Sequence, residues 1–511
     1  MVSPIEFPQA GPRGTFARKG TPPVIKTVAA TAFAFSLAHG GHQPPLRMQM
    51  LASQPPQGIQ LAWLATDGSV IGQGGDNTSW YRYTPDANGN YSDGTWKQLA
   101  SLPNGYSPSA FSSAVLADGR LVISGGEYNN DGSPYQLQLT NLGAIYDPVK
   151  NTWTKIGHPE GWQFIGDSPN SVLPGGQFLV GQKLTQEAAY LDPATLKWTK
   201  VGTAGKSDFN SEEGWTLLQN GTIITADVKD APNAEIYNPA TGTWSSAGTT
   251  IVDLHSPSPY KSCLQYGPKK KDCYLPPGEI GPQMLRPDGS VFFTGSGSGP
   301  EGYGAGHTAI YYSTGSKAGT WVQGPDFPND DNAGDSFSVL LPSGNVLVFG
   351  VTGTLYEFNG STFSQTGSYG GSPLLLPTGQ VLIVGNTVSL YTGAGSPQQS
   401  WAPTITSVAT TLTHGTTYTI KGTQFNGLSM AQAFGDEYQN ATNYPLVRIT
   451  NNSSGHVFYA KTHGHSTMGV ATGSTIVSTN FDVPSSIDKG TSTIVVVANG
   501  IASAPVTVTI N

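Results

Sequence analysis

Seven times between residues 62 and 385 the chain repeats one short phrase: an apolar run, a turn built on glycine, and a second apolar run. The copies read AWLATDGSVIGQGG (62–75), SAVLADGRLVISGG (113–126), NSVLPGGQFLVG (170–181), WTLLQNGTIITA (215–226), QMLRPDGSVFFTG (283–295), SVLLPSGNVLVFG (338–350) and PLLLPTGQVLIVG (373–385). A polar residue or glycine followed by Gly between β-branched and Leu-rich runs is a hairpin signal. The turn glycines are Gly68, Gly119, Gly176, Gly221, Gly289, Gly344 and Gly379, at spacings of 51, 57, 45, 68, 55 and 35. Repetition on this scale predicts one supersecondary unit used again and again, not a set of unrelated domains.

A second signature follows most copies, a Tyr, often in Tyr-x-Pro, and then a Trp: Tyr83/Pro85/Trp96, Tyr146/Pro148/Trp153, Tyr237/Pro239/Trp244 and Tyr312/Trp321. Leu191/Pro193/Trp198 and Tyr356/Phe363 are degenerate versions of it. Tyr on a third strand and Trp on a fourth would fill the widening wedge between neighbouring sheets of a radial array. On these motifs residues 46–401 resemble the kelch β-propellers, which implies seven four-stranded blades. Residues 48–55, MQMLASQP, match 96–103, WKQLASLP, in register. The segment 46–53 is therefore expected to supply the outer strand of the seventh blade and close the ring, removing an open edge. With 65 Gly and 38 Pro, and charged residues at only 11 %, the chain reads as all-β and turn-rich. It has no apolar run of the 18 residues that a membrane-spanning helix needs.

Beyond Trp401 the texture changes to Thr-rich alternation, and residues 402–511 are expected to form an immunoglobulin-like β-sandwich. A seven-bladed kelch propeller followed by such a sandwich resembles the galactose oxidase and glyoxal oxidase family. That resemblance implies a mononuclear copper ion, a Tyr–Cys radical, oxidation of primary alcohols or aldehydes, and a hairpin that delivers a histidine into the propeller channel. The segment Leu446–Ile449 followed by Gly455-His456-Val457 makes His456 the nearest match to that histidine. The family's Tyr-His pair is replaced by Gly334-Asp335 and Tyr369-Gly370, and no cysteine falls in an early blade.

Two constellations could carry chemistry. His463 and His465 flank Gly464; on an extended strand they share a face and could present nitrogens to a divalent or transition metal. Carboxylates stand where strands enter four of the blades: Asp167, Glu212, Glu213, Glu279 and Asp335; His307, which closes the glycine-rich loop of blade five, could also face the channel. Close carboxylates repel unless they share a cation, a proton or a donor. A bound cation, sugar hydroxyls, or His463 and His465 themselves are the counterparts expected. A glycine-rich stretch, 295–299 with 302–306, reads as a flexible loop.

The net charge of −8 disfavours nucleic acid, and the run Lys269–Lys271 is too short to reverse it. Residues 1–45 place basic residues ahead of an apolar stretch from Val28 to Leu37, the order of a secretory signal, which predicts a secreted or periplasmic protein. In that setting Cys263 and Cys273, ten residues apart, would form a disulfide. Three functions follow as expectations. The first is a carbohydrate-binding propeller, taking a glycan or small polar molecule. The second is a metal-assisted or acid–base enzyme, or less directly a copper oxidase. The third is a scaffold for a protein partner.

Overall fold

The computed structural model describes residues 47–129, 139–256, 278–297, 299, 304–434 and 439–511, with the short hairpin Ser262–Cys263 and Cys273–Tyr274. The signal-like segment 1–45 and the run Lys269–Lys271 lie outside the described residues.

Seven antiparallel sheets form a ring. Their innermost strands are Ile59–Leu64, Ser112–Val115, Asn170–Val172, Thr216–Leu217, Gln283–Leu285, Phe337–Leu340 and Ser372–Leu375. Each turns at the predicted glycine into a second strand. All seven turn glycines are left-handed, with φ between +74° and +91°. A side chain at that φ costs about 1–2 kcal/mol, which is why glycine recurs there.

The ring closes as the sequence predicts. Met48–Met50 pairs antiparallel with Ser389–Tyr391, the third strand of the seventh blade. Arg47 Nη1 donates to Glu357 Oε1 at 3.1 Å, Gln54 Nε2 donates to Val388 O at 2.9 Å, and Leu51 is buried.

The aromatic signature fills the blades. Ring centroids lie 4.7 Å apart for Tyr83–Trp96, 5.0 Å for Tyr146–Trp153 and 5.1 Å for Tyr237–Trp244. In the fifth blade the residue opposite Trp321 is Tyr311, not Tyr312, and in the sixth Phe358, not Tyr356, stands opposite Phe363. Side chains alternate along a strand, so the one-residue difference in the fifth blade moves the ring to the other face, whereas Tyr356 and Phe358 share a face and Tyr356 still packs on Phe363 with centroids 5.8 Å apart. Four of these tryptophans also latch onto the preceding blade, three at the connection after its outer strand and one on that strand: Trp96 Nε1 donates to Ser53 O (3.0 Å), Trp153 to Ala100 O (3.0 Å), Trp198 to Gly157 O (2.6 Å) and Trp321 to Ala247 O (2.7 Å). The glycine-rich stretch also differs from expectation. Gly295–Gly297 belong to the strand Ser290–Gly297, and the backbone of Leu254 lies so close to Gly295 that a Cβ there would meet it at 2.9 Å.

The C-terminal region is a curled sheet. Val457–His463 pairs with Leu446–Asn451 along its first half and with Val477–Asp482 at its end, so one strand turns the corner between two faces. Ile420, Phe425, Val447, Ile449, Phe481, Ile494 and Val508 form its own core. From this region residues 427–434 and 439–443 reach the inner strands of the propeller. Gln432–Phe434 adds to the inner strand of the sixth blade, with Phe434 opposite Phe337. Asn440 Nδ2 donates to Ala62 O and Pro373 O, both at 2.9 Å, joining the first and last blades, and Tyr444 OH donates to Leu64 O. Met430 Sδ accepts from Leu217 N at 3.4 Å.

Candidate functional site

Inner strands run away from the end where the chain enters each blade, and second strands run back. Residues just before an inner strand therefore meet residues just after a second strand on one face of the ring. Asp167, Glu212 and Asp335 each stand nine positions ahead of their blade's turn glycine, the same place in blades three, four and six. Glu127 follows the second strand Leu121–Ser124, and Lys183 follows Phe178–Gly181.

These groups converge on one ammonium. Lys183 Nζ touches Asp167 Oδ2, lies 3.0 Å from Glu212 Oε1 and 3.9 Å from Glu127 Oε1. Asp335 adds its charge to the field at Glu127. Three carboxylates thus meet one lysine, a formal excess of two negative charges, and Asp335 adds a further one nearby. Burial, then the opposing pull of Lys183 and the push of neighbouring acids, leaves Glu127 above the usual carboxylate range and Asp167 well above it. Asp167 is 1 % exposed, and its Oδ1 has no hydrogen-bond donor among the described residues. Glu212 and Asp335 sit at φ +61° and +50°. Ala110, at the same position of blade two, has φ +50°, so the left-handed bend belongs to the blade entry.

The other expected residues go elsewhere. Glu213 turns into a separate buried cluster inside blade four, where its Oε1 lies 2.5 Å from Lys206 Nζ. Glu279 is tied by its backbone to Ser256, and Ile280 takes the blade-five position that acids hold elsewhere. His307 pairs through Nδ1 with Asp326 at 2.8 Å on the outer rim. Cys263 and Cys273 face each other in register across their hairpin.

His463 and His465 do not share a face. The strand ends at His463, and Gly464 follows in a left-handed conformation at φ +60°, breaking the two-residue period. His463 Nε2 meets Asp482 Oδ1 at 3.1 Å, whereas His465 is buried with Nδ1 2.8 Å from Thr479 Oγ1. The N–H groups of Gly464 and His465 donate to Ala117 O, at the turn end of the second blade. That is the face opposite the carboxylates, so the histidines and the acids are not brought together. Burial above all, and then the neighbouring His463, press His465 down to about 3. A depressed histidine favours the fold above its unfolded value of about 6.5 and loses that contribution as pH falls toward the folded value. Unfolding midpoints should drop between pH 6.5 and 4, and His465→Gln should flatten that drop.

The copper–radical arrangement implied by the family resemblance does not fit these residues. The segments 427–434 and 439–443 that reach the inner strands carry no histidine. His456 instead caps an outer hairpin, 2.8 Å from Asp488 Oδ2, and the Tyr369 hydroxyl donates to Gly350 O at 3.0 Å.

Lys183 and Glu127 escape a reading centred on blade entries. Their signal is a charged residue placed straight after a second strand, where Asp227 also stands in blade four. An open groove of about 490 Å³ lined by Pro159, Glu160, Trp198 and Lys200 lies on the outer edge of blade three, away from this cluster.

No protein-family model matches the chain. It is similar to N-acetylneuraminate epimerase of Yersinia enterocolitica serotype O:8 / biotype 1B, 22 % identical over 187 residues covering 35 % of this chain and 42 % of that protein. The corresponding epimerase of Haemophilus influenzae (strain PittEE) is 31 % identical over 134 residues, 25 % of this chain and 33 % of that one. The chain therefore spans less than half the length of these curated relatives. Among solved structures it is similar to a fungal alcohol oxidase of the AA5 family in complex with copper, at 13 % identity and TM-score 0.47, covering 91 % of this chain and 98 % of that one. It is also similar to the extracellular domain of a one-component system from B. thetaiotaomicron, at 11 % identity and TM-score 0.42, covering 92 % and 58 %. Among the described residues no helix is long and apolar enough to cross a membrane.

Proposed function

We propose that this protein is a secreted carbohydrate-binding propeller that holds a neutral or amino-bearing sugar at the entry face of its channel. The observation that carries this reading is the cluster of Glu127, Asp167 and Glu212 around Lys183, with the charge of Asp335 acting on Glu127. Sugar hydroxyls donate to carboxylates and accept from an ammonium, so a mixed cluster of this kind can bind them at several points. Its excess negative charge repels a ligand that carries its own carboxylate. The similarity to epimerases of N-acetylneuraminate supports a sugar as the ligand, while the charge of the mouth argues for a less acidic one. On the same reading the chain divides at residue 401 into a propeller and an immunoglobulin-like module that lends it residues 427–434 and 439–443.

A second reading, an acid–base enzyme, is favoured by the raised carboxyls. Burial holds Glu127 above the usual carboxylate range, and Glu212 and Lys183 stand beside it, so a raised carboxyl meets a second carboxyl and an ammonium as proton transfer to and from a sugar carbon or oxygen requires.

Calorimetric titration with neutral, amino and carboxylated sugars at pH 7 tests the proposal. Binding of the first two and at least tenfold weaker binding of the third are expected. Glu212→Gln, which keeps the shape and removes the charge, should weaken binding of an amino sugar about tenfold. Failure of all three sugar classes to bind would leave a protein partner as the better account.

A further inference from the structure

Blade four holds a second group of acids that the channel cluster does not use. Asp208 and Lys206 lie on its entry connection, Glu213 just before its inner strand, Asp227 just after its second strand, and Glu235 on its third. All five are buried, none more than 6 % exposed. Lys206 is fully committed: its Nζ lies 2.5 Å from Glu213 Oε1, 2.7 Å from Glu235 Oε2 and 4.8 Å from the ring centroid of Trp244. Two of the four carboxylates meet this ammonium, and Asp208 and Asp227 are left beside them. Here, however, they have almost no contact with solvent that could offset the repulsion.

We infer that Asp208, Glu213 and Asp227 form a calcium site. One oxygen from each lies within 4.8 Å of the others, the span across a single Ca²⁺ whose ligands stand at about 2.4 Å. Asp208 accepts from the N–H groups of Phe209 (2.7 Å), Val228 (2.7 Å) and Lys229 (2.8 Å), which fix its carboxylate in place. Asp227 supplies the observation that the acid cluster alone does not. It is 2 % exposed, its Oδ2 accepts from Ser207 Oγ at 3.2 Å, and its Oδ1 has no donor among the described residues. A buried carboxylate oxygen without a partner is costly unless a cation or a proton completes it. An all-oxygen donor set selects a hard cation, and Ca²⁺ sheds water more readily than Mg²⁺ in a closed pocket.

Without a cation, burial and then the charge of Glu235 push Asp227 up to about 7. The groups facing it are Asp208, Glu213, Glu235, Lys206, Ser207 and, from the surface, Lys229. Glu213 is the chain neighbour of Glu212, so one connection serves both clusters.

The test is titration of chelator-treated full-length protein with CaCl₂, by calorimetry and thermal unfolding, with MgCl₂ as control. One Ca²⁺ per chain is expected, with a rise in melting temperature of about 3–5 °C at a hundredfold excess over Kd. Asp227→Asn, nearly isosteric and still able to face Ser207, should lose that response. Absence of calcium binding to the wild-type protein overturns the site, as does a calcium response that Asp227→Asn retains. An Asp227→Asn variant more stable than a calcium-insensitive wild type would assign the pocket to a buried proton instead.

Discussion

Lys183→Met should cost the fold about 3–5 kcal/mol at pH 8, the scale for removing one partner of a buried ion pair. Methionine keeps the length and the apolar stem but leaves Asp167, Glu127 and Glu212 facing one another without a cation. The pH dependence distinguishes this cause from a packing defect. Glu127 and Asp167 are both raised in the folded state, chiefly by burial, with Lys183 the main influence holding them down. A raised acid favours the fold fully below its unfolded value of about 4 and loses that contribution as pH climbs through its folded value. Without Lys183 both groups rise further and accept protons at moderate pH, so the variant should recover most of its stability at pH 5. Urea unfolding of both proteins at pH 5 and pH 8 measures this directly. Equal losses at the two pH values would mean that the lysine serves packing and not charge. The same variant should lose sugar binding at pH 7.

Deleting residues 46–54 should have an effect of similar size through a different cause. The deletion removes the Met48–Met50 ladder, the burial of Leu51 and the acceptor Ser53 O of Trp96. Burial of one leucine accounts for about 1.5–3 kcal/mol and each hydrogen bond for about 1 kcal/mol. Glu357, 3 % exposed, also loses the guanidinium of Arg47, although Tyr391, Asn345 and the Ala394 N–H still reach it. Together these losses come to about 4–6 kcal/mol, summing the same contributions. The exposed edge of Ser389–Tyr391 is then free to pair with another chain. Scanning calorimetry should show a fall of several degrees, and light scattering should show association that the intact chain lacks. An unchanged melting temperature in a monodisperse protein would mean that the ring does not depend on its closing strand.

The propeller was legible because its cause is local. A left-handed turn needs glycine, two apolar runs must flank it, and each wedge needs an aromatic ring. Those requirements recur in the sequence wherever a blade recurs, and the match between 48–55 and 96–103 revealed even the closing strand. Register was harder. Tyr311 and Tyr312 are neighbours of nearly equal character, and only strand pairing decides which one meets Trp321. The candidate site was legible in part for the same reason. Asp167, Glu212 and Asp335 occupy one repeated position and can be found by counting from the turn glycines. Glu127 and Lys183 come from the other ends of their hairpins, and nothing local connects them to those acids.

The histidines show the limit from the other side. Spacing of two implied a shared face for His463 and His465, but Gly464 at φ +60° ends the strand between them. Glu212 and Glu213 show it again, since adjacent side chains on one connection serve two different clusters, around Lys183 and around Lys206. By itself, then, the sequence determined the ring: its seven hairpins, their turns, their aromatic wedges and their closure all follow from short-range steric and hydrophobic requirements. Only the tertiary structure decided which charges meet. Coulomb energy and desolvation depend on distance through space, and residues 56 apart in sequence, Glu127 and Lys183, come within 3.9 Å solely because two blades stand side by side.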